Sequence, residues 1–261
     1  MTTTTGAGSV LDADHALARD LAVEAGRLLL DLRGSFTGDA AGLRAEGDRR
    51  SNELLLARLR AERPADAVLS EESEDDHVRL DSSRVWIVDP LDGTREYGEV
   101  PRDDWAVHVA LWVDGALAAG AVARPARGDV VATDAPPVVP DRAPGPLRLA
   151  VSRSRPPEFV TALAEHLDAE LVPMGSAGIK ATAVLDGTVD AYVHAGGQYE
   201  WDSAAPVAVA ASAGLHTSRT DGSALTYNAA DPRLPDVVVA RREVAETVLG
   251  AIRTIEGGRS A

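Results

Sequence analysis

The chain has 261 residues, 45% hydrophobic and 26% charged, enough apolar material for a core in one large domain or two lobes. It contains no cysteine, which removes disulfides, thiolate metal sites and cysteine-based phosphatase chemistry together. Its net charge of −15 excludes a general affinity for nucleic acid polymers, which requires a basic face to displace counterions.

The opening MTTTTGAGSV lacks a basic start and an apolar signal core, so it reads as a loose tail. No stretch approaches the roughly 20 apolar residues of a membrane-spanning helix, and a cytoplasmic protein is expected. Leu17, Leu21, Ala25, Leu28 and Leu32 fall at helical spacing within residues 12–32, with Gly34 as a stop. A second helix is expected over 51–63, with Leu55 and Leu59 on one face, Pro64 ending it and Asp48 just ahead. The short apolar run AVL then leads into SEES at 70–73. Strands follow at 85–89, 106–113 and 116–123, the last two joined by an Asp114-Gly115 hairpin turn, and GDVVATD adds a fourth. The proline-rich segment 134–146 predicts a boundary between two lobes, 1–140 and 141–261. In the second lobe, LRLAVS reads as a strand, 158–167 as a helix, and GSAGIKATAVLDG as a turn and helix closed by Gly187. Strand 189–194, a helix opened by Asp202 and ended by Gly214, strand 234–240 and a helix over 242–255 complete a mixed α and β chain.

Acid is concentrated: residues 66–104 hold 13 Asp or Glu against four Arg. WIVDPLDGTREY, residues 86–97, carries an apolar strand into two aspartates. Asp89 at the strand end and Asp92, returning across a tight Pro-Leu turn, repel each other unless a cation or a shared proton lies between them. Magnesium suits such a pair, because it binds through a few carboxylates, water and substrate phosphate. The Leu91 carbonyl adds an oxygen, and the Gly93 and Thr94 N–H groups, opening a short helix, face a phosphate. Glu71 lies at the end of its own short strand. Each acid also has a purely local reading: a surface turn for Asp-Pro-Leu-Asp-Gly, a solvated loop for SEES, helix N-caps for Asp202 and Asp48. Phosphatases with an Asp-x-Asp nucleophile need one residue fewer between the aspartates, and a phosphate-binding loop needs Gly-Lys-Ser/Thr, whereas the single lysine is Lys180.

With SEES, WIVDPLDGTREY and EWDSAAP in this order, the sequence resembles the inositol monophosphatase superfamily of metal-dependent, lithium-sensitive phosphatases over nearly its whole length. GDRRSNELLLARLRAERP, RDDWAVHVALW and HAGGQYEWDSAAP resemble its 3′-phosphoadenosine 5′-phosphate-hydrolysing branch, in the form found in actinobacteria and tied to sulfur assimilation. The resemblance implies an αβαβα five-layer sandwich of the inositol monophosphatase and fructose-1,6-bisphosphatase type. It implies two or three Mg2+ ions held by Glu71, Asp89, the Leu91 carbonyl, Asp92 and Asp202, clamping the attacking and leaving oxygens of an in-line displacement by water. Thr94 with Asp48, and Glu71, would activate that water, and no phosphoenzyme would form. Gly93, Thr94, Ser152, Arg153, Gly175, Ser176, Lys180, Tyr199, Glu200 and Asp202 would contact a small phosphomonoester, with Lys180 meeting a second phosphate. Inositol phosphate and fructose 1,6-bisphosphate remain alternative substrates, and a non-catalytic phosphate or nucleotide sensor is the alternative of another class. A homodimer is a further expectation from the relatives.

Overall fold

The structure, a computed structural model, describes residues 5–259. Helices α1 (Thr5–Ser35) and α2 (Ala40–Glu62) precede strands β1 (Ala67–Ser70) and β2 (Arg84–Asp92), the short helix α3 (Thr94–Gly98), and β3 (Ala106–Val113), β4 (Ala116–Arg124) and β5 (Asp129–Ala132). Then come β6 (Arg148–Ser152), α4 (Glu158–Leu167), β7 (Glu170–Met174), α5 (Ala177–Leu185), β8 (Ala191–Tyr199), α6 (Glu200–Ser212), β9 (His216–Ser218), β10 (Arg233–Ala240) and α7 (Arg242–Arg259).

Strand alternation sets the layers. On β2, Trp86 and Val88 join Val107, Val109 and Leu111 of β3 in a core with Leu21, Leu29, Leu55 and Leu59 of α1 and α2. The intervening Val85 and Ile87 face the other way, packing with Ile179 and Val184 of α5 and Ala205 and Val209 of α6. Those two helices also cover Val237 and Val239 of β10, whereas Val238 and Ala240 turn toward α4 and α7. The result is α1α2, sheet β1-β2-β3-β4-β5, α5α6, sheet β7-β6-β8-β10-β9, and α4α7: the expected αβαβα sandwich. All strands of the first sheet precede the proline-rich segment and all strands of the second follow it, while the middle helices pack on both.

Four expectations are corrected. Residues 5–10 belong to α1 rather than to a tail, residues 1–4 lying outside the described residues, and Gly34 sits in the last turn of α1 instead of ending it. Helix α2 starts at Ala40 with Asp39 as N-cap, its carboxylate accepting from Gly42 N at 2.8 Å, so Asp48 lies inside the helix and caps nothing. Gly47 concealed this continuity; a Cβ there would lie 2.7 Å from Tyr97, so the glycine permits close packing rather than breaking the helix. Strand β7 was not anticipated, because Pro173 argues against strand; it survives at a sheet edge.

The fourth correction positions the site. Asp-Pro-Leu-Asp is not a tight turn: β2 continues through it with a bulge. Asp89 pairs with His108 and Asp92 with Ala106, three steps on β2 against two on β3. Regular alternation would put residues 89 and 92 on opposite faces; the extra residue brings both to the face of Val85 and Ile87, while Leu91 joins the α1/α2 core.

Candidate active site

Asp89 (1% exposed) and Asp92 (7%) meet Asp202, in the first turn of α6, on the inner face of the first sheet. One oxygen from each lies within 4.8 Å of the other two. Glu71 extends from the end of β1, whose backbone pairing with β2 carries on through Glu71 N to Val88 O at 3.4 Å, and its carboxyl shares a hydrogen bond with Asp89. Asp89, Asp92 and Asp202 come together from both halves, and Glu71 lies against Asp89 beside them. Asp202 is placed by its own helix: it accepts from Tyr199 N at 2.6 Å, bracing the first turn as an N3 acid, so Tyr199 and not Asp202 is the N-cap.

The buried polar face of α2 pins the ends of β1 and β2. Ser51 Oγ donates to the Pro90 carbonyl inside the bulge at 2.7 Å, and Asn52 accepts from Ser70 Oγ at 2.8 Å and donates to Glu72 O at 3.3 Å. Sequence reasoning missed both residues; their signal was polarity on the stripe that carries Leu43, Leu55 and Leu59. On the phosphate side, Gly93 adopts φ 85°, and a Cβ there would lie 3.1 Å from Ser176 Cβ and 3.2 Å from Asp104 O, so the turn into α3 requires glycine. Thr94 Oγ1 lies 3.3 Å from Asp48 Oδ1 and 3.0 Å from the Leu91 carbonyl.

The two aspartates are electrostatically unequal. Asp92 accepts hydrogen bonds from Ser176 Oγ, Ala177 N (3.1 Å) and Gly178 N (2.6 Å) at the N-terminus of α5, and His108 Nε2 lies 3.2 Å away. Burial pushes its pKa up, but His108, Lys180 and Ser176 more than offset this and hold it below the usual carboxylate range. Asp89 accepts from Leu91 N at 3.0 Å, and its nearest cationic partner among the described residues is His108 at 4.0 Å. Burial, then Glu71, Asp92 and Asp202, push its pKa well up. Glu71 is pushed to about 7 by burial and by Asp202, although the residue as a whole is exposed. Burial and Asp92 raise Asp202 to about 6, and burial and Glu72 raise Asp48 to about 7. Hard oxygen donors around an uncompensated buried carboxylate fit a divalent cation; without one, Glu71 and Asp89 share a proton.

His108 was also missed by sequence reasoning. It is fully buried, donates through Nδ1 to the Trp201 carbonyl at 3.0 Å and faces Asp92 through Nε2, tying β3 to the α6 turn that carries Asp202.

The expected substrate contacts divide. Gly175 and Ser176 are structural: Gly175 N donates to Asp104 at 2.6 Å, and the Ser176 hydroxyl is committed to Asp92 and to capping Ile179 N. Lys180 is neither solvated nor aimed at the cleft mouth. It is 7% exposed and donates to the Gly175 and Ser176 carbonyls at 3.1 and 2.6 Å. Ser152 accepts from Arg155 N at 3.4 Å, and Arg153 is paired with Glu96 at 2.8 Å and Glu99 at 2.6 Å. Glu200 turns away from the cleft, its carboxylate accepting from Asn228 N (2.7 Å) and Ala229 N (2.8 Å), which withdraws it from the substrate-binding set. Tyr199 stays exposed beside Asp202.

Residues 10–256 match the inositol monophosphatase family. The chain belongs to that family. The 3′-phosphoadenosine 5′-phosphate phosphatase of Mycobacterium leprae is 53% identical over 255 residues, covering 93% of this chain and 94% of its own. The structure of CysQ from Bacteroides thetaiotaomicron superposes with a TM-score of 0.75 at 26% identity, over 88% of this chain and 98% of its own. Inositol monophosphatase II from Staphylococcus aureus superposes with a TM-score of 0.78 over 91% and 94%, and at 18% identity this likeness concerns the fold alone. Inositol monophosphatase family members are metal-dependent, in keeping with the acidic group found here.

Proposed function

We propose that the chain is a magnesium-dependent phosphomonoester hydrolase that converts 3′-phosphoadenosine 5′-phosphate to AMP and phosphate. The convergence of Glu71, Asp89, Asp92 and Asp202 carries the chemistry, and likeness to the mycobacterial phosphatase along 93% of the chain supports the substrate. Those four acids and the Leu91 carbonyl would hold two or three Mg2+ ions. When bound, the ions supply charge neutralisation at phosphate oxygens and a more acidic water.

The chain's own residues do the rest. Asp92, kept ionised by its donors, is the fixed anchor, and Asp89 is the carboxylate whose charge awaits compensation. Thr94 Oγ1, held between Asp48 and the Leu91 carbonyl, orients the attacking water on the face away from the leaving oxygen. Asp48, pushed to about 7 by burial and Glu72, is poised to accept its proton near neutral pH, with Glu71 at the metal group as the second acid beside that water. The Gly93 and Thr94 N–H groups receive the phosphate. In-line attack by water forms the new P–O bond as the ester P–O bond breaks, so no phosphoenzyme intermediate arises.

The test is phosphate release from 3′-phosphoadenosine 5′-phosphate, inositol 1-phosphate and fructose 1,6-bisphosphate with Mg2+, with and without lithium. The nucleotide should show the highest kcat/KM, lithium should inhibit, and Asp89→Asn should lower turnover by at least about 10³-fold while the fold is retained. A preference for either sugar phosphate overturns the substrate; wild-type activity in Asp89→Asn overturns the site.

A further inference from the structure

The chain has four Trp, four Tyr and two Phe, and among the described residues only Tyr199 leaves its ring exposed. At 39% exposure it projects from the end of β8 immediately before α6, and its backbone N–H is the donor that holds Asp202. Its ring is not loose. It lies flat against Trp201, with centroids 4.6 Å apart and planes 3° from parallel. Trp201 is half-buried against the core between the sheets, and its carbonyl is fixed by His108. One face of Tyr199 is thus backed by a second ring and the other is open. Just before it in β8, Gly196 and Gly197 stand in open space, with no atom within 4 Å of where a Cβ would be.

A single exposed aromatic ring is unremarkable by itself; a ring pre-stacked on an anchored tryptophan, tied by its backbone to an acid of the metal group, is a built flat surface. Planar heteroaromatic rings stack on such a surface with little ordering cost, because both protein rings are already parallel. A sugar or cyclitol has no π-face to offer. We propose that Tyr199, backed by Trp201, is the platform on which the nucleobase of the substrate stacks, and that this pair makes the enzyme select nucleotides over sugar phosphates. The proposal deepens the proposed function and rests on it.

The test compares the wild type with Tyr199→Ala and Tyr199→Phe, both of which keep the backbone N–H on Asp202. Calorimetric titration with AMP and with ribose 5-phosphate, its base-free counterpart, isolates the stacking contribution without turnover. Tyr199→Ala should weaken AMP binding by about 5- to 150-fold, leave ribose 5-phosphate unaffected, and place its kinetic loss on 3′-phosphoadenosine 5′-phosphate in KM rather than kcat. Tyr199→Phe should restore AMP binding. Equal weakening of both ligands, no weakening of AMP, or failure of phenylalanine to rescue overturns the platform. A wild type that hydrolyses only sugar phosphates overturns both readings, whereas a nucleotide-specific enzyme indifferent to Tyr199→Ala overturns this one alone.

Discussion

Lys180 shows how a residue's type and its use diverge. As the single lysine, it read as a partner for a second phosphate, but burial lowers its pKa and its ammonium is spent on the Gly175 and Ser176 carbonyls. It buttresses the turn whose next groups, Ser176 Oγ, Ala177 N and Gly178 N, hold Asp92. Lys180→Met should therefore cost about 1.5–3 kcal/mol in urea unfolding and lower kcat/KM on a bisphosphate and a monophosphate alike. A selective loss on the bisphosphate would return Lys180 to substrate contact. The converging acids were legible because SEES, WIVDPLDGTREY and EWDSAAP occur together and in this order, which outweighs the local reading each acid has alone. The orientations of Ser176, Lys180 and Glu200 were not, since each is set by a backbone segment far away in sequence: Glu200, for one, is claimed by Asn228 and Ala229.

At the scale of elements, the bulge in β2 decides which side of the sheet receives Asp92. Deleting Pro90 removes the extra residue and leaves Asp92 two steps from Asp89, still on the site's face, but it flattens the bulge that Ser51 holds and that presents the Leu91 carbonyl to Thr94. That deletion should lower magnesium-dependent phosphate release by about 10²-fold through the displaced Leu91 carbonyl and destabilise the protein by roughly 1–3 kcal/mol, as the buried Ser51 hydroxyl loses its acceptor. Wild-type activity in the deletion would show that the bulge does not shape the site. Most strands were legible from apolar runs, and the Asp114-Gly115 hairpin from its turn chemistry, both residues having positive φ. The bulge was not legible, because Asp-Pro-x-Asp is equally good turn chemistry and only pairing with His108 and Ala106 distinguishes the two. Helix α2 was shortened in the reading for a related reason: Gly42 and Gly47 look like breaks until the aromatic rings facing them are known.

Across the whole molecule, the acidic group makes stability depend on pH and on metal together. Glu71 and Asp48 at about 7 and Asp202 at about 6 bind protons more tightly folded than unfolded. Their contribution is fully present below the unfolded carboxylate pKa and is lost as pH rises toward 6–7. Asp92, lowered by His108 and Lys180 against burial, acts oppositely: its contribution exists above its unfolded value and disappears in acid. Metal-free protein should thus melt highest near about pH 5 and lower at pH 8, and Mg2+ should raise the melting temperature at pH 8 far more than at pH 5. Thermal melts in chelator and in Mg2+ across this range check it; a Mg2+ effect of equal size at both pH values would contradict it. The two sheets and the helix layer between them were implied by the resemblance, whereas which helices form that layer was not legible, because a helix apolar on most sides does not say which neighbours bury it.

That shared middle layer also shapes how the protein comes into being. During translation, β1 to β5 are complete by Ala132, yet the helices that cover Val85 and Ile87 begin only at Ala177. The nascent chain therefore passes through an interval with one greasy sheet face bare to water, a stage at which ribosome-associated chaperones have something to hold.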